Sequence, residues 1–332
     1  KRRVSKGLTK RRLRKRRVKR GGNPGDGNPG DGNPGARRPA PGEPLLPIFT
    51  GAHVPLEVMH NVLGNLPTRD LQNLAMTSKP VKGQIQSKYN DKREEVRHRL
   101  RQLGITDRYT TRVNLNINEA VNDGTINEIL DALTVLPNLQ WLNLNENALT
   151  TLPSSLGNLY YLLHLDLDNN ALTALPSSLW KLRNLQGLLL NNNQLTALSE
   201  DLFSEGKLPN LKLLDLEGNQ LTVLPSSLGN LRNLETLYLG RNQLTELPSS
   251  LGNIRYLQKL SLASNQLTAL PESLGYLGNL LQLNLDNNEL TELPSSLGNS
   301  RYLQRLYLRN NRLTDPNPVV EALKEKGCQV YL

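Results

Sequence analysis

Five side chains of this sequence belong to the types that most often carry chemistry: one cysteine, Cys328, and four histidines, His53, His60, His98 and His164. A nucleophilic thiol needs a neighbouring base or positive charge to hold it as thiolate. Zinc needs three or four Cys, His or carboxylate ligands at characteristic spacings. None of the histidines is spaced for a metal with the cysteine or with another histidine, and Cys328 has no histidine beside it in sequence. No glycine-rich loop of the phosphate-cradling kind is present. The expectation is a chain that is not an enzyme, with no metal and no cofactor, whose side chains act by contact alone.

Contact residues need elements to hold them, and leucine supplies the pattern. From Leu136 the chain reads LPNLQWLNLNENALTTLPSSLGN; further copies begin at 159, 182, 208, 231, 254, 277 and 300, in steps of 23 residues with one of 26. Eight copies at one period mark a solenoid rather than a set of globular domains. In Leu142-Asn143-Leu144 and its counterparts, alternation turns the leucines inward and the side chain between them to the open face of a strand. Stacking each coil on the next buries those leucines, at roughly 1.5–3 kcal/mol for each one fully buried. The column Asn147, Asn170, Asn193, Asn219, Asn242, Asn265, Asn288 and Asn311 falls where the chain leaves the strand. Its amides are expected to satisfy backbone groups that the bend would leave unpaired inside. The LPSSL run starts an extended or 3₁₀ return path with a proline, whose missing N–H costs little there. In the third copy ALSEDLFSEGK replaces this run, and a true helix capped by Ser199, with Phe203 turned inward, is expected.

The pattern L-x-L-x-x-N-x-L-T-x-L-P-x-x-L resembles the leucine-rich-repeat family, over about two thirds of the chain. The resemblance implies an α/β solenoid, a horseshoe with a concave parallel β-sheet. Both ends look capped. Val113–Ile117 reads as the strand of a zeroth repeat, with Thr125-x-x-Glu128 as a capping box opening a helix. Asn317-Pro318 starts a helix through Lys326, and Cys328–Leu332 reads as a last strand in which Cys328 is plain core. Some bacterial members carry a ubiquitin-ligase domain with a Cys-x-Asp nucleophile. Here Cys328 is followed by Gln329 and Val330, and the match fails.

The outward strand positions define the expected binding surface. Trp141, His164, Lys259 and Arg305 fall in a first row, Asp166, Asp215, Tyr238 and Tyr307 in a second, Asp168, Glu217 and Arg309 in a third, with Arg241 beside them. Framework positions are nearly identical from copy to copy while these vary, as expected if only the surface must match a partner. Asp166, Asp168, Asp215 and Glu217 make the early half acidic; Arg241, Lys259, Arg305 and Arg309 make the late half basic. Trp141, Tyr238 and Tyr307 are read as exposed aromatics of the kind that anchor interfaces. Strands about 4.8 Å apart carry eight repeats across roughly 35–40 Å, a span suited to a protein substrate and too open for a small metabolite.

The remainder divides by composition. Residues 1–20 hold thirteen Lys or Arg and no acid; removing those charges from the formal +10 leaves about −3 for the rest of the chain. A basic tail of this kind is compatible with nonspecific nucleic acid, with an import receptor or with simple solvation. Without interleaved aromatics, sequence-specific recognition is not expected of it. Residues 21–44 repeat GNPGD and read as a linker; residues 45–110 are helical in pattern, and residues 111–332 form the repeats with their caps. No apolar run approaches the roughly 20 residues of a membrane span. The chain opens on Lys1, and no secretory signal is visible in it. A single cysteine and no disulfide-bonded caps favour a reducing compartment.

Just ahead of the repeats stands HVPLEVMHNVLGNLPTRDLQNLAMTSKPVKGQI, residues 53–85. Val58, Val62 and Leu66, with Met59 and Leu63, describe a short amphipathic helix. A break at Leu66-Pro67 and an N-cap at Thr68 introduce a second, lined by Leu71, Leu74 and Ala75. The run resembles the F-box, whose pattern is Leu-Pro-x-Glu, a hydrophobic pair, x-x-Leu, x-x-Asp-Leu, x-x-Leu-Ala and a Ser-Lys stop, with Val54 standing where the family prefers the first leucine; a merely helical cap to the repeats is the other reading. By resemblance, Pro55 shapes the entry loop, and Val58, Val62, Leu63, Leu66 and Leu71 supply the surface that docks a Skp-type adaptor and, through it, a cullin. The resemblance implies a substrate receptor of a ubiquitin ligase, working in the cytoplasm or nucleus. Near-identical repeats look more like bacterial or Ras-group intracellular repeats than those of eukaryotic F-box receptors, and that mixture points to a bacterial effector secreted into a host cell's cytoplasm. A scaffold binding a small GTPase or another partner, with no ubiquitin role, stays open beside it.

Overall fold

The computed structural model describes residues 138–332 throughout and, ahead of them, residues 94–95, 98, 100–102, 104–107, 109–115, 128–130, 132–134 and 136. The tail, the linker, Thr125 and the F-box-like residues Pro55, Val58, Val62, Leu63, Leu66 and Leu71 lie outside the described residues.

Among the described residues, ten strands of three residues form one parallel sheet in sequence order: β1 (Arg112–Asn114), β2 (Trp141–Asn143), β3 (His164–Asp166), β4 (Gly187–Leu189), β5 (Leu213–Asp215), β6 (Thr236–Tyr238), β7 (Lys259–Ser261), β8 (Gln282–Asn284), β9 (Arg305–Tyr307) and β10 (Gln329–Tyr331). Each central residue points inward, and Leu142, Leu165, Leu188, Leu214, Leu237, Leu260, Leu283 and Leu306 are all essentially inaccessible. Because each repeat supplies one coil, the register advances by whole repeats: Trp141 stands beside His164, His164 beside Gly187, and Gly187 beside Leu213. β1 stops at Asn114, shorter than the run to Ile117 expected for it.

The asparagine column closes the bend as expected. Asn219 donates through Nδ2 to the carbonyls of Leu190 at 2.9 Å and Leu216 at 3.0 Å, and its Oδ1 accepts from the Leu195 amide of the preceding coil at 3.0 Å. From Asn147 to Asn288 these side chains are buried; Asn311, at the last bend, is half-buried. The residue ahead of each ladder asparagine (Glu146, Asn169, Asn192, Gly218, Arg241, Ser264, Asn287, Asn310) has φ between 52° and 67°. Left-handed backbone suits Asn and Gly, which fill five of these eight places.

The return path is a 3₁₀ turn, such as Ser226–Asn230, with extended Pro225 before it. Its glycine is there because a Cβ on Gly229 would strike the Ser250 carbonyl of the next coil. In the second repeat Trp180 takes the glycine's place. The coil that follows is the longer one, and its Lys207 ammonium lies 5.2 Å from the centre of the Trp180 ring. In that longer coil, Ser199 does cap, its hydroxyl accepting from the Asp201 amide at 3.2 Å, and Phe203 is buried. The element is a 3₁₀ turn over Glu200–Phe203, however, not the true helix expected. Three extra residues lengthen a coil held between two neighbours without giving room for a full α-turn hydrogen-bonding pattern.

At the far end a helix over Pro318–Glu325 is capped by Asn317, whose Oδ1 accepts from the Val319 and Val320 amides at 3.1 and 3.3 Å. Val319, Val320, Leu323 and Cys328 close the last coil, and burial raises the Cys328 thiol pKa. At the near end the described helical residues Ile129, Leu130, Ala132 and Leu133 are buried in the same core, as is Leu100.

Candidate protein-binding face

The sheet brings the outward residues into rows one strand apart. Asp166, Leu189, Asp215 and Tyr238 stand side by side across β3 to β6. One turn beyond the strands follow Asp168, Asn191 and Glu217, where Asp168 accepts from the Asn191 amide at 2.6 Å. Four carboxylates thus share a half-buried patch. Burial, reinforced by Asp166 and Asp215, pushes the Asp168 carboxyl up to about 6. Burial and the nearby Glu217 raise Asp215, and burial with Asp215 and Glu217 raises the Tyr238 phenol. Like charges gathered in one half-buried place cost stability. A partner's cations would relieve that cost.

At the near edge Trp141 lies between the Arg112 guanidinium, 5.2 Å from its ring centre, and the His164 ring, at 4.5 Å. Gly187 follows in the row because a Cβ there would meet His164 Nδ1 at 2.6 Å. Burial, and then the Arg112 charge, lower the His164 pKa. At the far edge Tyr307 stacks on Tyr331 with ring centres 4.7 Å apart, and the Arg309 guanidinium lies 5.7 Å from the centre of the Tyr331 ring. Trp141, Tyr238 and Tyr307, expected to be exposed, are half-buried; neighbouring coils present rings to Trp141 and Tyr307, while Tyr238 lies between Asp215 and Ser261. Lys259, Gln282 and Arg305 form the basic end of the first row. Arg241 stands apart, at the left-handed bend after β6 rather than in a row.

The fully exposed tyrosines lie elsewhere. Tyr161, Tyr256, Tyr276 and Tyr302 are 58–70% exposed and stand ahead of the strands. Sequence reasoning by strand rows passes over them. Their signal is that Tyr161, Tyr256 and Tyr302 occupy a position where the other aligned copies carry asparagine.

Among the described residues, no group of His, Cys, Asp or Glu could hold a metal ion, and no helix is long and apolar enough to cross a membrane. The arrangement offers contact chemistry: an acidic patch, a basic end and packed aromatics between them.

A family model described as leucine rich repeat matches residues 137–195, 183–244 and 255–313, half of the chain in all. One described as F-box domain matches residues 53–93. No curated protein matches the sequence. Among solved structures, the crystal structure of PEPR1–AtPEP1 is similar, with a TM-score of 0.53 at 31% identity over 58% of this chain. The match spans only 28% of that chain's length. Internalin C2 from Listeria monocytogenes is similar with a TM-score of 0.50 at 28% identity, covering 61% of this chain and 82% of its own.

Proposed function

Since the chain belongs to the leucine-rich-repeat proteins and carries an F-box ahead of its repeats, we propose that it is the substrate receptor of a Skp–cullin–F-box-type ubiquitin ligase. Both modules are protein-interaction domains rather than enzymes. The observation that carries the reading is their pairing in one chain. The F-box, through Pro55, Val58, Val62, Leu63, Leu66 and Leu71, docks the Skp-type adaptor and its cullin. The concave face, with Asp166, Asp168, Asp215 and Glu217 at one end and Lys259, Arg305 and Arg309 at the other, holds a protein substrate of complementary charge. Catalysis is by proximity: tethering raises the effective concentration of substrate lysines beside the charged ubiquitin carrier. The protein works in the cytoplasm or nucleus, that of a eukaryotic host if its source is bacterial.

The test is direct binding of the full chain to a purified Skp-type adaptor. The wild-type chain binds, and Pro55→Ala with Leu63→Ala abolishes binding, because losing one interface anchor alone commonly costs above about 2 kcal/mol. The repeats keep their circular dichroism in that variant. A wild-type chain that fails to bind the adaptor leaves the scaffold reading in its place.

A further inference from the structure

Two coils carry almost the same five residues as they enter their strands: Arg255-Tyr256-Leu257-Gln258-Lys259 and Arg301-Tyr302-Leu303-Gln304-Arg305. The coil between them reads Gly278-Asn279-Leu280-Leu281-Gln282, with no cation and no ring. Lys259, Gln282 and Arg305 are in register across β7, β8 and β9. Two ridges of Arg, Tyr and Lys or Arg therefore stand two strand spacings apart, about 10 Å. Between them Gly278 opens onto free space, with no atom within 4 Å of where a Cβ would sit.

The tyrosines replace a structural residue. In the same position Asn184, Asn210, Asn233 and Asn279 each donate to a carbonyl of the preceding coil, at 2.8, 2.9, 2.8 and 2.7 Å. Tyr256 and Tyr302 forgo that bond and remain 58% and 60% exposed. Tyr161 does so too, but its flanks are Tyr160 and His164, not two cations. Lys212, Arg232 and Arg312 pair with Glu235, Glu205 and Glu289. Among the described residues, Arg255, Lys259, Arg301 and Arg305 enter no ion pair. A ladder bond given up twice, each time between unpaired cations, has no packing explanation.

We propose that this entry edge of the late coils binds a short, extended, acidic segment of a partner protein. Its carboxylates meet Arg255, Lys259, Arg301 and Arg305, and an apolar side chain lies between the two tyrosine rings. Three residues of extended chain span about 10 Å, which matches the two ridges, and guanidinium forks suit carboxylates. A longer polyanion such as nucleic acid would have to run on toward Glu235 and the Asp215–Glu217 patch, where like charge repels it. This edge takes in Lys259 and Arg305 of the first concave row, so the inference deepens the substrate-holding reading of that face and does not depend on the adaptor.

The probe is a dodecapeptide of four Asp-Glu-Leu units, titrated onto the full chain at low salt. The readout is an environment-sensitive dye on Asn299→Cys, an exposed position beside the second ridge, so that peptide on the basic tail does not register. A saturable dye response is expected. Half-saturation should rise at least about tenfold with Arg255→Ala and Arg301→Ala, and equally with Tyr256→Asn and Tyr302→Asn, which restore the ladder residue and so preserve the fold. Arg183→Ala, on the same edge but three coils before the first ridge, should change nothing. No response, an equal response to a neutral peptide of Asn-Gln-Leu units, insensitivity to the tyrosine replacements, or tighter binding of a dT dodecamer would each overturn the proposal.

Discussion

In the acidic half, the asparagines at the bend and the outward aspartates do opposite things to stability. Asn219 satisfies three buried backbone groups across two coils, so Asn219→Ala should cost about 1–3 kcal/mol. Asn145, turned outward, should tolerate alanine within about 0.5 kcal/mol; equal shifts of the two denaturant midpoints would show the bend to be wrongly assigned. Asp168 is held at about 6 in the folded chain, above the ordinary 3.8. Its proton is bound more tightly in the folded state, so the destabilising charge is absent below about pH 4, develops between 4 and 6, and is complete above 6. Asp168→Asn should therefore raise the thermal midpoint at pH 7.5 and leave it nearly unchanged at pH 3.5, since an Asn oxygen still accepts from Asn191. A gain of equal size at both pH values would remove the cost of the buried charge, with its like-charged neighbours, as the cause. The row positions of these residues were legible in the sequence, since whole-repeat register follows from a fixed period. Their burial was not. The tilted packing of Trp141 on His164 and the stacking of Tyr307 on Tyr331 depend on the residue one coil away, which a column read down the sequence does not weigh.

Between coils, the 3₁₀ turns are stitched by side chains that a consensus pattern hides. Glu200 of the third repeat accepts from the Ser226 and Ser227 amides of the fourth at 2.7 and 2.8 Å; the Ser227 side chain, then these amides, hold its carboxyl down at about 2. Glu272 repeats the arrangement with Ser295 and Ser296 at 3.0 and 2.9 Å. A depressed carboxylate contributes stability that is complete above its ordinary pKa of 4.5 and is lost as pH falls toward 2. The difference in urea midpoint between wild type and Glu200→Gln should thus be present at pH 6 and shrink by pH 3. A difference that persists unchanged in acid would show that charge is not the reason. Element type was partly legible here. Proline and short length announced a 3₁₀ return path in most repeats, while ALSEDLFSEGK carries helix signals that the confinement of its coil overrides. The glycine column was visible as letters, but its reason, the approach of the next coil's carbonyl, exists only in three dimensions. The same is true of Trp180, which replaces glycine where the following coil is longer.

At the scale of the molecule, the repeats form one continuous core with its own end caps, while residues 1–44 carry mostly charge, Gly and Pro. Removing 1–44 should leave the thermal midpoint unchanged. Any weak nucleic-acid binding should vanish with that segment and should already fall steeply with salt. Salt-insensitive binding retained by residues 45–332 would place nucleic acid on the repeats instead. The central claim, that one end recruits the ligase and the other holds the substrate, is tested most directly by separating the two in eukaryotic cells. The measurement is ubiquitination of whichever protein co-purifies with the wild-type chain, compared across two variants. With Pro55→Ala and Leu63→Ala, the account predicts that this protein stays bound but is no longer ubiquitinated. With Asp166→Lys and Asp215→Lys, the adaptor stays bound and the protein is lost. Undiminished ubiquitination in the first variant, or undiminished capture in the second, would contradict it.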